Sequence, residues 1–180
     1  GFAKRVETTE GSYEADIVVS AADYAHTEMA LLPAEARSYG ERYWRRRVVA
    51  PSMFIAYLGI RKKLPELEHH NLYFSKNWNQ HFDTIFKNPS WSVNPCYYLS
   101  RISKTDTDSA PKGAENLFLL VPVAPGLDDN DVIRERYLDH ILDHVEQTTG
   151  VSIRNDIEVK RIYSHRDFTS DYNALKGTAL

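Results

Sequence analysis

Met53-Phe54-Ile55-Ala56-Tyr57-Leu58-Gly59-Ile60 is apolar on both alternating sets of positions. A strand with one wet face alternates apolar with polar residues; a run like this one predicts a central strand covered on both sides. Asn116-Leu117-Phe118-Leu119-Leu120-Val121-Pro122-Val123 reads the same way and is the most apolar strand of the chain, with Pro122 and Pro125 expected to end it. Two such strands fix a sheet at the centre of the fold.

Outward from them the pattern changes. Phe2, Lys4, Val6 and Thr8 alternate into the turn Glu10-Gly11-Ser12, and a second apolar run follows over Ala15 to Ala21, so two short strands about a glycine turn are predicted. Tyr24 to Trp44 is helical in period but broken by Pro33, which predicts two helices, the second over 34–46. A short strand is expected over 71–75. Ser75 would cap a helix over 77–87, where Trp78, Phe82, Ile85 and Phe86 form an apolar stripe. A strand over 96–103 and a polar loop over 105–113 come next. The clearest helix spans 128–147, with acidic residues in its first turn and Ile133, Tyr137, Ile141 and Val145 as its buried stripe. Gly150 is its expected C-cap. A strand over 157–164 and a helix over 167–175, capped by Asp167, close the chain. Strands and helices do not alternate strictly, which disfavours a doubly wound parallel sheet. The expected fold is α+β: a mixed, largely antiparallel sheet with helices packed on one face.

The 180 residues are 42% hydrophobic and 26% charged, with a formal net charge of -3. That composition supports a packed core and gives no electrostatic footprint for nucleic acid. Cys96 is the single cysteine, so no intramolecular disulfide forms and a reducing cytoplasm is the expected compartment. No run is long and apolar enough to span a bilayer, and no signal-peptide core opens the chain. The chain begins Gly1-Phe2-Ala3 without methionine and stops in the small, apolar run Ala174 to Leu180. Both ends suggest an excised piece of a longer polypeptide.

Candidate chemistry is sparse. His140 and His144 share one side of the long helix, but no third ligand and no HExxH glutamate accompany them. Asp128 to Asp131 lacks the spacing of a calcium loop and reads as a helix start. No metal is expected. Cys96 has no basic neighbour in sequence to activate it. Ser20 lies in no GxSxG elbow, and there is neither GxGxxG nor a P-loop. Tyr43-Trp44-Arg45-Arg46-Arg47 mixes aromatic and positive residues and suits either a solvated helix face or an anionic lipid surface.

An ordered series of motifs resembles one family, the bacterial-type, FAD-dependent phytoene desaturases of the flavin amine oxidase superfamily. Ala15-Asp16-Ile17-Val18-Val19-Ser20-Ala21-Ala22-Asp23 is similar to the stretch that follows the family's strand hairpin. Pro51-Ser52 with Tyr57-Leu58-Gly59, then His69-His70-Asn71-Leu72-Tyr73-Phe74-Ser75 and Phe82-Asp83-Thr84-Ile85-Phe86, follow in order. So do Pro95 to Tyr98, Thr105-Asp106, Ala110 to Gly113, Leu120 to Val123, Arg136-Tyr137, Asp167-Phe168, Asn173-Ala174 and Gly177. Each motif is weak alone; the series is specific and covers nearly the whole chain.

The resemblance implies an inserted substrate-side domain. Residues 1–22 would be strands returning from the FAD-binding domain, and 23–180 the substrate-binding domain. Ser20, Ala21 and Ala22 would approach the flavin by backbone. Phe54, Tyr57, Phe118 and Leu120 would wall a tunnel for a long C30 or C40 polyene, with ordinary core as the competing role for each. Trp44, Arg45, Arg46 and Arg47 would meet a membrane surface, on the inner face of the membrane. FAD would belong to the full-length protein and not bind this stretch alone; the missing FAD-binding domain would be its partner, and self-association of the isolated chain is expected. No catalytic acid or base is assigned. A carotenoid isomerase or oxygenase of the same family, and a non-catalytic module for an apolar ligand or a partner protein, remain open alternatives.

Overall fold

The computed structural model describes residues 3–180, so the expectation on Phe2 lies outside the described residues. Strands β1 (Arg5–Thr8) and β2 (Gly11–Glu14) form an antiparallel hairpin with every residue exposed. The second apolar run, Ala15 to Ala21, is not a strand. It bends at Asp16 and is exposed, with Ile17 and Val19 each at least 80% exposed; Ala15 N–H still donates to the Lys4 carbonyl (3.0 Å), but the run has no strand partner among the described residues.

Helix α1 (Tyr24–His26) runs directly into a π-helical turn at Thr27–Leu31. The helix expected over 34–46 is split. A 3-10 turn holds Ala34–Ala36, and α2 covers only Glu41–Arg46. The reason lies at Glu28, which is buried and whose carboxylate accepts the backbone N–H groups of Ser38 (2.7 Å) and Tyr39 (3.2 Å). Those donors are therefore not available to a continuous helix.

The main sheet contains β3 (Ser52–Ile60), β4 (His70–Tyr73), β5 (Tyr97–Ser100), β6 (Glu115–Val123) and β7 (Ile157–Tyr163), in the order β4-β5-β6-β3-β7. Every pairing is antiparallel. The two stretches read first as central strands, β3 and β6, pair along their whole length from Ser52↔Val123 to Ile60↔Glu115. The α+β class stands.

Pro122 sits inside β6 rather than ending it. Its ring removes a ladder donor, but β5 pairs β6 only over Phe118 to Leu120. Beyond that point the Pro122 carbonyl is taken by the His81 ring at 2.8 Å instead of by a strand.

Helix α4 (Asp131–Thr149) lies on one face of the sheet. Asn130 caps it through Ile133 N–H (3.0 Å), and Gly150 ends it at φ 74°, a left-handed cap only glycine adopts freely. Tyr137, Leu138, Ile141, Leu142 and Val145 meet Phe54, Ala56, Leu58, Leu117, Leu119 and Val121 in the main core. Helix α5 (His165–Tyr172) begins two residues before the expected cap: Ser164 is the N-cap, and Asp167 is the third helical residue reaching back to Ser164 N–H at 2.9 Å. Helix α3 (Trp78–Phe86) stands at the opposite face, near the Pro122 end of β6. Ser75 does not cap it.

A buried ionic knot joins α4 to α5. Arg134 donates two hydrogen bonds to Asp129 (2.6 and 2.7 Å) and one to Asp167 (2.6 Å). Burial alone would raise the Asp129 carboxyl, but Arg134 and the Arg166 N–H outweigh it and hold the group below the usual carboxylate range.

Candidate functional site

Side chains alternate across a strand, so the register assigns each residue a face. Phe54, Ala56, Leu117 and Leu119 look toward α4. The opposite face carries two cross-strand rows. One runs Leu72, Tyr98, Leu120, Ile55, Tyr163; the next runs His70, Ser100, Phe118, Tyr57, Arg161. Among the described residues, no helix crosses the middle of this face.

At its Pro122 end, α3 and the sheet enclose an open cleft of about 830 Å³. Met53, Leu72, Tyr98, Leu120 and Pro122 line it from the sheet, and Trp78, Phe82, Ile85 and Phe86 from α3. That volume falls in the range of small-molecule sites. Trp78, Phe82 and Phe86 recur every four residues and stand edge to face or stacked along the helix, with centroids 5.6 and 6.4 Å apart. Each stays about half exposed. A second hollow of about 380 Å³, lined by Tyr57, Phe118 and Val159, continues along the same face. Tyr57 and Phe118 have ring centroids 5.4 Å apart.

His81 anchors α3. Its Nδ1 accepts the Cys96 backbone N–H at 3.0 Å, so Nε2 carries the proton and donates to the Pro122 carbonyl. Burial pushes this imidazole below the ordinary histidine value, against the smaller opposing pull of the Pro122 bond. Among the described residues, no cluster of acidic, histidine and cysteine side chains could hold a metal ion.

Of the four tunnel-wall residues named from sequence, Leu120 lines the cleft, and Tyr57 and Phe118 line the second hollow. Phe54 is one residue out of step with Met53 and Ile55, so it faces α4. There it is fully buried, edge to face with Tyr137 (5.1 Å) and Trp91 (6.0 Å). Ser20, Ala21 and Ala22 are exposed and in no strand, and the Ser20 hydroxyl hydrogen-bonds the Thr27 hydroxyl (2.7 Å). No glycine-rich turn or enclosing wall surrounds them, so the described residues do not by themselves fit a flavin. Trp44 is half-buried in an aromatic cluster with Tyr24 (5.1 Å), Tyr43 (5.0 Å) and Tyr39 (5.9 Å). The Arg47 guanidinium lies 3.9 Å from the Tyr43 ring centre, while Arg45 and Arg46 are exposed. No helix among the described residues is long and apolar enough to cross a membrane.

Sequence reasoning missed the role of α3 as a cleft wall. The apolar stripe was visible, but the same stripe serves a core helix and a groove-lining one. It also missed His81, whose partners Cys96 and Pro122 are far off in sequence.

No family model matches the sequence. The carotenoid 3,4-desaturase of Haloarcula japonica is 46% identical over 176 residues, covering 97% of this chain and 36% of its own length. The 1-hydroxycarotenoid 3,4-desaturase of Flavobacterium sp. is 29% identical over 96% of this chain, and the lycopene-forming phytoene desaturase of Paracoccus sp. 30% over 92%. The chain belongs to the bacterial-type phytoene desaturase family. It spans about a third of the length of these curated relatives: 36, 35 and 34%.

Proposed function

We propose that this stretch is the substrate-side wall of an FAD-dependent carotenoid desaturase acting on a C30 or C40 polyene. The observation that carries the reading is the cleft between α3 and the open sheet face, whose lining is almost wholly hydrocarbon and aromatic. A polyene offers no charge to grip. Its affinity comes from buried apolar area, at about 25 cal/mol per Å², and from shape. Leu120 and the α3 aromatics supply that area, and Phe118 with Tyr57 extends it along the sheet.

Residues 1–22, a hairpin and an apolar run, are read as the segment that returns to a flavin-binding domain, and 23–180 as the substrate domain. The bare hairpin and the exposed apolar run Ile17-Val18-Val19 support this, since apolar surface left uncovered is a liability in isolation. The isolated chain should therefore self-associate and bind no FAD. In the whole protein, FAD held by residues outside this stretch would supply the two-electron acceptor for such a desaturation. Half-buried Trp44 and exposed Arg45, Arg46 and Arg47, the last lying over the Tyr43 ring, are the proposed contact with an anionic membrane surface at the cytoplasmic side.

Product analysis of the whole protein in a phytoene-making host tests the reading. Products lighter by pairs of hydrogens are expected, and Leu120→Trp should cut their yield sharply. An isomer of unchanged mass, or an oxygenated product, would favour the isomerase or oxygenase alternative. A whole protein that carries no flavin would favour a non-catalytic module. Changing Arg45, Arg46 and Arg47 to Glu should weaken liposome binding; unchanged binding would sink the membrane contact.

A further inference from the structure

The cleft and the second hollow lie on one face of the sheet, yet no residue lines both. A file of aromatic rings stands between them. Tyr98 on β5 borders the cleft, while Phe118 on β6 and Tyr57 on β3 border the hollow. These strands are neighbours in the sheet, and the rings pack against one another across them, with centroids 6.2 Å apart for Tyr98 and Phe118 and 5.4 Å apart for Phe118 and Tyr57. The Tyr98 hydroxyl is bonded to His70 Nδ1 on β4 at 2.7 Å, which holds that ring across the boundary between the two cross-strand rows. Side chains stand roughly perpendicular to a sheet, so the rings make a step on the face. Beyond the step the floor drops at Gly59, which has no side chain. The lining changes there too. Asn116 borders the hollow, and its Oδ1 is buried without a hydrogen-bond partner; among the described residues, none that lines the cleft carries such an atom. Hydrocarbon laid against that acceptor would keep it unpaired, at a cost.

We infer that the Tyr98–Phe118–Tyr57 ridge is the end wall of the ligand site and sets how far a polyene runs along the sheet. This rests on the reading of the cleft as a polyene site. A hydrocarbon chain has no polar group to fix its position along a groove, so only shape can stop it. A chain seated between α3 and Leu120 meets the ridge end-on, and the second hollow stays free of it. Phe118, Tyr57 and Tyr98 are specificity residues for chain length, and His70 positions Tyr98.

The test compares C30 and C40 polyenes on the whole protein, with binding read by quenching of tryptophan fluorescence, to which Trp78 in the cleft contributes. Phe118→Ala should shift the ratio of the two binding constants toward the longer polyene about fourfold, which is the worth of burying one further methylene group, about 0.8 kcal/mol. Tyr57→Ala, at a position 45% exposed, should shift it the same way and carries the test where Phe118→Ala does not fold. Val159→Trp fills the second hollow from an exposed position on the edge strand β7. It should leave the wild-type ratio unchanged and cancel the shift in either ring variant, a dependence that a merely loosened fold would not show. A ratio unmoved by both ring variants would overturn the inference. So would a shift by Val159→Trp in the wild type, since the ligand would then already occupy the hollow. If both polyenes bind and neither is turned over, the desaturase reading fails while the ratio still decides this one; binding of neither defeats both.

Discussion

The Cys96 backbone N–H donates to His81 Nδ1 at 3.0 Å, and this one bond decides where the proton of the ring resides. With Nδ1 occupied, Nε2–H is left to hold the Pro122 carbonyl (2.8 Å), and α3 is tied to the end of β6 through a neutral imidazole.

Burial keeps the His81 pKa below its value in an unfolded chain. The unfolded state therefore takes up the proton first. The stability that follows is fully present above about pH 6.5 and is lost as pH falls from there through the folded pKa. Nitrogen NMR of the ring at pH 7 should show a neutral Nε2–H tautomer. His81→Leu, which orphans both Cys96 N–H and Pro122 C=O, should cost about 1–3 kcal/mol in urea unfolding; an unchanged midpoint would refute the anchoring role.

Arg134 sits in a buried fork between Asp129 and Asp167. Arg134→Ala leaves two carboxylates without their cation and should lose about 3–5 kcal/mol. Arg134→Lys keeps the charge without the planar fork and should lose less. Because Asp129 is held below the usual range, the contribution of the knot is present above about pH 4 and falls away as acid protonates it. Denaturation midpoints between pH 3 and 7 check this: the acid loss should be shallower in Arg134→Ala.

Gly177 has φ 63°, and a Cβ there would lie 2.6 Å from the His165 carbonyl oxygen. Backbone would have to shift. Gly177→Ala should therefore add overpacking of about 1–3 kcal/mol to the left-handed strain of about 1–2 kcal/mol. Gly150, at φ 74° with open space around it, should show only the strain. Equal thermal midpoints for the two alanine variants would contradict the packing argument.

Leu119 and Leu120 are neighbours on opposite faces. Leu119 is 1% exposed in the core against α4; Leu120 faces the cleft. Leu119→Ala should cost about 2–5 kcal/mol. Leu120→Ala should cost less than half of that and should alter polyene binding instead. A reversal of the two stabilities would mean that the sheet register is wrong.

The sequence by itself determined the two central strands, the long helix with its Gly150 cap, and the α+β class with a largely antiparallel sheet. These rest on period, burial pattern and capping chemistry, which are local properties. The motif series carried the family, because an ordered set of weak signals survives where each one alone does not. Local pattern could not tell which face of β3 is core and which is cleft: both are apolar, and only the partner across the face separates Phe54 from Tyr57. It could not foresee that Ala15 to Ala21 forms no strand, since a strand exists only when another backbone answers its hydrogen bonds along its length. Nor could it break the helix over 34–46, where Glu28 captures backbone donors from ten residues further on. The tertiary structure decided those points, because each depends on groups distant in sequence competing for the same surface or the same hydrogen bond.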